Sequence, residues 1–253
     1  MDLQLLGTTA LITGAGSGIG RATAVALAAE GVRVALLDRD PDALESTADL
    51  LRGEGSALPV VVVADVTVED QVQVAVAAAV AELGRLDAVV CCAGVSGPVG
   101  SSIEEIDLAA WNAVFAVNVT GPFLVLRHAL PALRAAASAS VVLLASDSAS
   151  VASPGMVPYC ASKAALVQFG RALSVDLAGT GIRVNAVAPS IVDTPMSRGD
   201  LGAQAFVDPG FPVQTAAEVA AHVAYLVSPR ARAVNGTSLL SDFGYAARSG
   251  FPA

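Results

Sequence analysis

A tyrosine and a lysine four positions apart, Tyr159 and Lys163, are the residues of this chain best suited to acid/base chemistry. The segment that holds them predicts an α-helix, in which a spacing of four places both side chains on one face. A phenol has a pKa of about 10, and a neighbouring ammonium group favours the phenolate and lowers that pKa toward neutral pH. Because such pairs are also common in ordinary amphipathic helices, this interpretation needs a further residue.

Ser146 is that further residue. It ends a predicted strand thirteen positions before Tyr159, and the ligands of doubly wound sheets bind where strands end. Ser148 lies two positions beyond Ser146 and is predicted to contact a substrate, whereas Asp147 between the two serines is expected to be exposed. The spacing of Ser146, Tyr159 and Lys163 therefore indicates one site at which a proton is exchanged.

A glycine-rich turn follows the first predicted strand and opens an alanine-rich helix. Glycines allow the backbone to approach a pyrophosphate closely, and the unpaired N–H groups of a helix N-terminus bind its charge. Because this turn stands between a strand and a helix, it predicts dinucleotide binding. The residues predicted to bind the dinucleotide here are Gly14, Ser17, Gly18, Ile19 and Gly20.

Asp38, twenty positions after Gly18, ends the second predicted strand. A carboxylate there accepts hydrogen bonds from the ribose hydroxyls of NAD and repels the 2′-phosphate of NADP. Arg39 follows directly and either stacks on adenine or helps to bind a phosphate. A solvated loop acid is the alternative role for Asp38. We predict NAD as the cofactor, in preference to NADP.

Short apolar runs alternate with longer segments of helical periodicity along the whole chain. Such runs are typical of parallel strands that are covered on both faces. The pattern predicts an α/β fold, a single doubly wound (Rossmann) parallel sheet with helices on both faces, in one domain over residues 1–253. Residues 190–213, rich in Gly, Pro and Asp, are the least regular stretch and predict a substrate lid. The predicted strands are 10–12, 32–37, 59–64, 86–91, 141–145, 182–187 and 239–240, and the predicted helices are 18–30, 41–53, 68–83, 104–136, 158–178 and 216–227.

Composition excludes several other classes of protein. The net charge of −9 opposes nucleic-acid binding, which needs clustered Lys and Arg. No apolar run of about 18 residues is free of Gly, Pro or charge, so no membrane segment is expected. The three cysteines are an odd number, typical of reduced cytosolic thiols. No Cys/His spacing suggests a metal site, and we expect a cytoplasmic protein.

Taken together, these residues resemble the short-chain dehydrogenase/reductase family over about residues 7–245. The resemblance implies that Tyr159 exchanges the proton of a substrate oxygen and that Ser146 polarises the carbonyl. It also implies that Lys163 lowers the pKa of Tyr159 and holds the nicotinamide ribose, and that Asn118 kinks the long helix to support a proton relay. The residues that carry the resemblance are the glycine-rich turn, Asp65, Ala93, Gly94, Asn118, Ser146, Tyr159, Lys163, Pro189 and Thr194.

The resemblance adds cofactor contacts. The backbone after Pro189, near Ile191 and Val192, would hold the nicotinamide carboxamide together with Thr194. Asp65 and Val66 would flank adenine, although Asp65 alternatively caps the next helix. An amide inside an apolar helix needs partners, so a core amide that bonds to the backbone is a compatible role for Asn118. The chain departs from the family at Cys91 and Cys92, where two Asn are usual, which puts the hydrogen bonding at this strand end in doubt. Nucleophilic cysteine chemistry is not expected there, because no His or Lys is placed to make a thiolate.

The substrate is expected to be a small alcohol or ketone in a mainly apolar pocket with few charges. Ser148, Val95 and Met196 are the predicted substrate contacts. Further apolar or small residues expected around the pocket are Phe206, Val207, Phe211, Val213, Ser96, Pro98, Val151 and Ala152.

The sequence thus predicts an NAD-dependent oxidoreductase that interconverts a secondary alcohol and a ketone. Two alternatives stay open: an NADPH-dependent 3-oxoacyl-(acyl-carrier) reductase, and a non-catalytic dinucleotide-binding protein on the same fold. The long helices near 104–136 and 158–178 are apolar on more than one face, which predicts a homotetramer or homodimer.

Overall fold

A parallel sheet of seven strands forms the centre of the computed structural model, which describes residues 2–53 and 57–248. The strand order is β3-β2-β1-β4-β5-β6-β9, and every neighbouring pair is parallel. The chain therefore winds outward from β1 in both directions, as predicted for a doubly wound fold. The strands are β1 (Thr9–Thr13), β2 (Arg33–Asp38), β3 (Val60–Val63), β4 (Ala88–Cys91), β5 (Ala139–Leu144), β6 (Ile182–Pro189) and β9 (Ser238–Ser241), and a separate pair is formed by β7 (Val192–Asp193) and β8 (Gln214–Thr215).

Helices cover both faces of the sheet and enclose two apolar cores. One core joins the sheet to α3, α5 and α6, and the other joins it to α1, α2 and α8. Successive residues of β1 serve different cores, since Leu11 packs in the first and Ala10 and Ile12 pack in the second. This explains why the strands are apolar without alternation. The helices are α1 (Gly18–Ala29), α2 (Pro41–Gly53), α3 (Glu69–Leu83), α4 (Leu108–Phe115), α5 (Gly121–Ala135), α6 (Val157–Asp176), α7 (Pro195–Leu201) and α8 (Ala216–Val227).

Two regions differ from the sequence-based prediction. The helix expected over 104–136 begins at Leu108, where the Asp107 side chain accepts a hydrogen bond from the Ala110 N–H, and it is interrupted by a π-helical turn over Ala116–Thr120. The segment 190–213, expected to be irregular, contains α7 and the strand β7. The remaining strands and helices are confirmed to within two residues at nearly every end. Residues 1, 54–56 and 249–253 of the predicted domain lie outside the described part.

The helical stretch Leu108–Ala135 is long and apolar enough to cross a membrane, judged by length and composition alone. In this fold it lies against the sheet, where Leu124, Val125 and Leu133 belong to one of the two cores. Part of its apolar surface therefore faces the core, whereas Leu108 and Phe123 are exposed.

Candidate active site

The glycine-rich turn between β1 and α1 leaves a cavity of about 280 Å³ at the carboxyl edge of the sheet. A Cβ atom on Gly20 would lie 2.0 Å from the Gly14 carbonyl oxygen, and one on Gly14 would lie 2.7 Å from the Ala93 nitrogen. Only glycine therefore fits at either position. Ser17 is the N-cap residue of α1, its side chain makes no capping bond, and Gly18, Ile19 and Gly20 of the first helical turn line the cavity. This cradle suits a pyrophosphate.

Asp38 lines the same cavity at the end of β2. Its Oδ2 accepts a hydrogen bond from the Gly16 N–H at 3.0 Å, and its Oδ1 accepts one from the Asp40 N–H at 3.2 Å. The carboxylate is thereby fixed beside the glycine-rich turn, and the solvated-loop alternative is wrong. Arg39 lines the cavity as well.

Asp65 also lines this cavity. Its Oδ1 accepts hydrogen bonds from the N–H and the hydroxyl of Thr67, at 2.8 and 2.7 Å. These bonds, with a smaller effect of Arg39, hold the pKa of Asp65 below its ordinary value. Because Val68 is the N-cap residue of α3, Asp65 does not cap the helix as the alternative required.

The predicted cofactor residues fall along one continuous groove. The cavity beside the glycine-rich turn opens onto a second cavity of about 600 Å³, and Ile19, Cys92, Gly94, Thr194 and Met196 line both. The first cavity holds Gly14, Ser17, Gly18, Ile19, Gly20, Asp38, Arg39, Asp65, Val66, Ala93, Gly94 and Thr194, and the second holds Tyr159, Lys163, Pro189, Ile191 and Val192.

Three of the four predicted catalytic side chains, those of Ser146, Tyr159 and Lys163, line the second cavity. Ser146 follows β5 directly, and its hydroxyl donates to Asp147 Oδ1 at 2.9 Å while accepting from the Ser148 N–H at 3.2 Å. Asp147 is partly buried and lines the cavity, so the prediction that it is exposed is wrong. The reason is a short 3₁₀ turn at Asp147–Ala149, which turns the carboxylate back onto Ser146.

Tyr159 and Lys163 share one face of α6, as predicted, with the Lys163 ammonium 5.5 Å from the centre of the Tyr159 ring. Lys163 Nζ donates to the Leu144 carbonyl oxygen at 2.8 Å. Burial lowers the pKa of Lys163 to about 8, and the nearby Cys92 opposes this shift.

The pKa of Tyr159 differs from the expectation of a lowered value. Burial raises it to about 12; the Ser146 side chain lowers it, whereas Asp147 and Asp200 raise it further. The sequence shows the lysine, but it does not show the burial of the phenol or the two carboxylates that the fold places near it.

Asn118 lies in the π-helical turn and is fully buried. Its Oδ1 accepts from the Val95 N–H, and its Nδ2 donates to the Val95 carbonyl oxygen and to the Ser162 hydroxyl, each at 2.9 Å. The side chain thus has the partners that a buried amide needs, and the local break in the helix occurs where the resemblance placed it.

Two residues at this site were missed by the sequence analysis. The Ser162 hydroxyl donates to the Tyr159 carbonyl oxygen at 2.8 Å, which links Asn118 to the helix that carries Tyr159. The Thr13 hydroxyl accepts from the Ala93 N–H at 3.2 Å and so supplies hydrogen bonding at the strand end where the two cysteines stand. Ser162 lies three positions after Tyr159 on the same helix, α6. This spacing places the two residues near one another, so the sequence could have indicated Ser162 as a residue of the site.

Cys92 lies near Lys163, although the sequence indicated no Lys close to the two cysteines. The ammonium of Lys163 favours the thiolate of Cys92 and so lowers the pKa of that thiol. Burial nevertheless raises the pKa of Cys92 to about 12. The thiol form dominates at neutral pH, so the two cysteines act as packing residues.

The second cavity corrects several predicted substrate contacts. Ser148, Met196, Phe211, Ser96, Val151 and Ala152 line it, whereas Phe206, Val207, Val213 and Pro98 do not, and Val95 lines only the first cavity. Val95 is instead held by Asn118 through both of its backbone groups. The cavity also carries the carboxylates of Asp147, Asp200 and Asp242, so the expectation of few charges is wrong.

A dinucleotide cradle that opens onto a Ser–Tyr–Lys site defines a class of nicotinamide-dependent oxidoreductases. Comparison with known proteins agrees with this geometry. The profile of the family described as "Enoyl-(Acyl carrier protein) reductase" matches residues 14–246. The chain belongs to the short-chain dehydrogenase/reductase family, and it is an oxidoreductase of the alcohol dehydrogenase type.

Several relatives are similar over nearly their whole length. The chain is 37% identical to 2-(R)-hydroxypropyl-CoM dehydrogenase of Xanthobacter autotrophicus, over 94% of this chain and 98% of that one. It is 35% identical to D-threitol dehydrogenase of Mycolicibacterium smegmatis, over 96% and 95%. The crystal structure of levodione reductase superposes with a TM-score of 0.90 at 35% identity, over 96% of this chain and 99% of that chain.

Proposed function

We propose that this protein is an NAD-dependent dehydrogenase that interconverts a secondary alcohol and a ketone, with Tyr159 as the acid/base. The observation that carries the proposal is the single groove in which the glycine cradle and Asp38 lie at one end and Ser146, Tyr159 and Lys163 lie at the other. Relatives whose names state such alcohols include D-threitol dehydrogenase and a borneol dehydrogenase of Lavandula x intermedia.

The residues of the first cavity fit the cofactor. The glycines leave room for a pyrophosphate at the N-terminus of α1, and Asp38, fixed by the Gly16 N–H, would accept hydrogen bonds from the ribose hydroxyls. This carboxylate supports NAD over NADP. Related solved structures contain NAD, among them carveol dehydrogenase from Mycobacterium avium at 30% identity, but a ketoreductase at 33% identity contains NADPH. NAD, when bound, supplies the hydride acceptor.

In the direction of oxidation, the side chains act on the substrate oxygen. The Ser146 hydroxyl holds that oxygen, and the Tyr159 phenolate oxygen takes its proton. Lys163, anchored on the Leu144 carbonyl, keeps a positive charge beside the Tyr159 ring. Asn118 and Ser162 position α6 against the segment of Val95. In the direction of reduction, the neutral phenol returns the proton.

The alternative of a 3-oxoacyl-(acyl-carrier) reductase has structural support from a 3-ketoacyl-(acyl-carrier-protein) reductase of Brucella melitensis at 31% identity, with NADH bound. The acidic chain, with a net charge of −9, opposes docking of an acidic carrier. Turnover of an acyl-carrier thioester that exceeds turnover of every simple ketone would favour this alternative.

The test is Tyr159→Phe, which removes the hydroxyl and keeps the ring. We expect turnover of an alcohol panel to fall by about a hundredfold to ten-thousandfold, while the Kd for NAD measured by calorimetry stays nearly constant. Tyr225→Phe is the matched control, because Tyr225 lies on α8 and lines neither cavity. Undiminished turnover by Tyr159→Phe would defeat the proposed role. Absence of turnover in the wild-type protein, with NAD still bound, would instead favour the non-catalytic alternative.

A further inference from the structure

The substrate cavity is acidic at its wall, although most of its lining is apolar. Asp147 stands beside Ser146, Asp200 comes from α7, and Asp242 follows β9. Among the described residues that line this cavity, Lys163 is the one cation, and its ammonium is bound to the Leu144 carbonyl oxygen at the cofactor side. The cavity therefore carries a surplus of negative charge toward a substrate.

Asp242 has a structural explanation. Its two carboxylate oxygens accept hydrogen bonds from the Gly244 and Ala246 N–H groups, at 2.8 and 2.7 Å. These bonds fix the turn that follows β9, so Asp242 needs no ligand.

Asp147 and Asp200 are different. Asp200 Oδ1 accepts from the Ser96 hydroxyl at 2.9 Å, and Asp147 Oδ1 accepts from the Ser146 hydroxyl at the same distance. Within residues 2–53 and 57–248, neither carboxylate has an ion-pair partner, and no donor is bonded to either Oδ2. By contrast, Asp193 beside the same helix α7 is paired with Arg198 at 2.5 Å. Each of the two cavity carboxylates thus keeps one oxygen free to accept a hydrogen bond.

Both carboxylates line the cavity that Tyr159 lines, and Asp147 is bonded to the Ser146 hydroxyl. Each disfavours the phenolate of Tyr159 and so raises the pKa of that group. A carboxylate accepts hydrogen bonds but donates none, so it stabilises hydroxyl or ammonium groups and repels anions. The same field that acts on the phenolate must act on a charged substrate.

Resting on the proposed function, we propose that the substrate is an alcohol with a second hydrogen-bond donor, a hydroxyl or an ammonium group, and with no anionic group. Asp200 and Asp147 are the residues that receive the donor. Substrates that carry a carboxylate, a phosphate or a sulfonate are excluded by the same two charges.

The test compares four cyclohexanols that differ only in a second substituent: 4-methyl, 4-hydroxy, 4-amino and 4-carboxylate, together with their 2- and 3-substituted isomers. Oxidation by the NAD-loaded enzyme gives kcat/KM for each. We expect the amino or hydroxy compound to exceed the carboxylate by about tenfold or more. A carboxylate compound that is oxidised as well as the amino and hydroxy compounds would overturn the proposal.

Asp200→Asn assigns the preference to a residue. The amide keeps an oxygen for the Ser96 hydroxyl and removes the charge. The ratio of kcat/KM for the amino or hydroxy compound to kcat/KM for the carboxylate compound should therefore fall by about three- to tenfold. Asp208→Asn, an exposed residue of the same segment outside the cavity lining, is the matched control for net charge and should leave the ratio unchanged. An unchanged ratio in Asp200→Asn, or an equal change in both variants, would contradict the role of Asp200.

Failure of the proposed function is separable from failure of this inference. If none of the compounds is oxidised, binding of the amino and carboxylate compounds to the NAD-loaded protein is compared by saturation-transfer NMR. Preferential binding of the amino compound, lost in Asp200→Asn, still supports the inference, and equal binding of the two overturns it.

Discussion

At Tyr159 the sequence predicts which side chains form the site, but it does not predict the pKa of the phenol. The spacing from Ser146 to Tyr159 and Lys163 selected the side chains that the fold brings together at one cavity. The same reading expected a lowered pKa for the phenol, and in the fold its pKa is raised to about 12. The lysine is a neighbour along the helix, whereas Asp200 arrives from α7 and burial comes from the whole cavity. The spacing of Tyr159 and Lys163 along the helix therefore does not show which charges the fold brings near the phenol from other elements.

Asp147 gives a pH prediction at this scale. Its negative charge opposes formation of the phenolate, so Asp147→Asn should lower the pKa of Tyr159. Oxidation needs the phenolate, and its rate therefore rises with pH through the neutral and alkaline range. In the variant this rising limb should move to lower pH, with a gain of about two- to threefold at a given pH on the limb.

The measurement is the pH profile of kcat/KM for oxidation under saturating NAD. The groups near the phenol that also bear on the profile are Asp200, Cys160 and Lys163. Asp208→Asn serves as the control for net charge. A limb that stays in place or moves to higher pH in Asp147→Asn would show that Asp147 does not act on the phenol.

For the long helix before β5, the sequence predicts the position in the chain but not the interruption of the α-helix. An amide inside an apolar helix indicated a special position at Asn118. The sequence pattern does not reveal that five residues, Ala116–Thr120, adopt a π-helical turn. The turn is stabilised by contacts with the distant segment of Val95 and with α6, and such contacts depend on the assembled fold.

Asn118→Ala should destabilise the protein by about 2–4 kcal/mol, because it leaves buried groups of Val95 and Ser162 without partners. Chemical unfolding measures this loss. Asn112→Ala on α4 is exposed and should change the free energy of unfolding by no more than about 0.5 kcal/mol. Equal small effects of both variants would mean that the amide is dispensable for the fold.

The helix α7 was missed for a local reason. It has seven residues, includes Gly199, and stands in a stretch rich in Pro and Asp. Its start was nevertheless readable, since Thr194 and Ser197 form a capping box and Pro195 takes the first helical position. The short length and the composition of α7 therefore favour a loop prediction, whereas its capping residues indicate the start of a helix.

For the whole molecule, binding of NAD should appear as added stability. At a hundred times its Kd, a ligand contributes about 2.7 kcal/mol, which raises the Tm of a chain of this size by about 5–10 °C. We expect NADP at the same concentration to give a much smaller rise in Tm, because the Asp38 carboxylate, which lines the cavity, repels the 2′-phosphate. Thermal unfolding with each dinucleotide provides the measurement.

Asp38→Ser should reduce the difference between the two dinucleotides. Asp40→Ser is its matched control, since serine keeps the capping function that Asp40 has toward the N–H groups of Asp42 and Ala43. A larger Tm rise with NADP than with NAD in the wild-type protein would reject the NAD preference.

Self-association is also a property of the whole molecule. Leu108 is 73% exposed, Phe123 is 45% exposed, and Val157 is 41% exposed on the helices α4, α5 and α6. The homotetramer or homodimer stays a prediction, and light scattering coupled to size-exclusion chromatography measures it. A monomer at micromolar concentration would contradict it.

The short pair of strands β7 and β8 has an evolutionary consequence. Val192 pairs with Gln214 and Asp193 pairs with Thr215, so the segment between them starts and ends at nearly the same place. Doubling the length of a loop closed in this way costs only about 0.6 kcal/mol. Residues 197–213, which do not line the first cavity, can therefore be lengthened or shortened by mutation while the main sheet and the nucleotide cradle keep their geometry. Such an exchange would reshape one part of the substrate cavity, because Asp200, Leu201 and Phe211 line it.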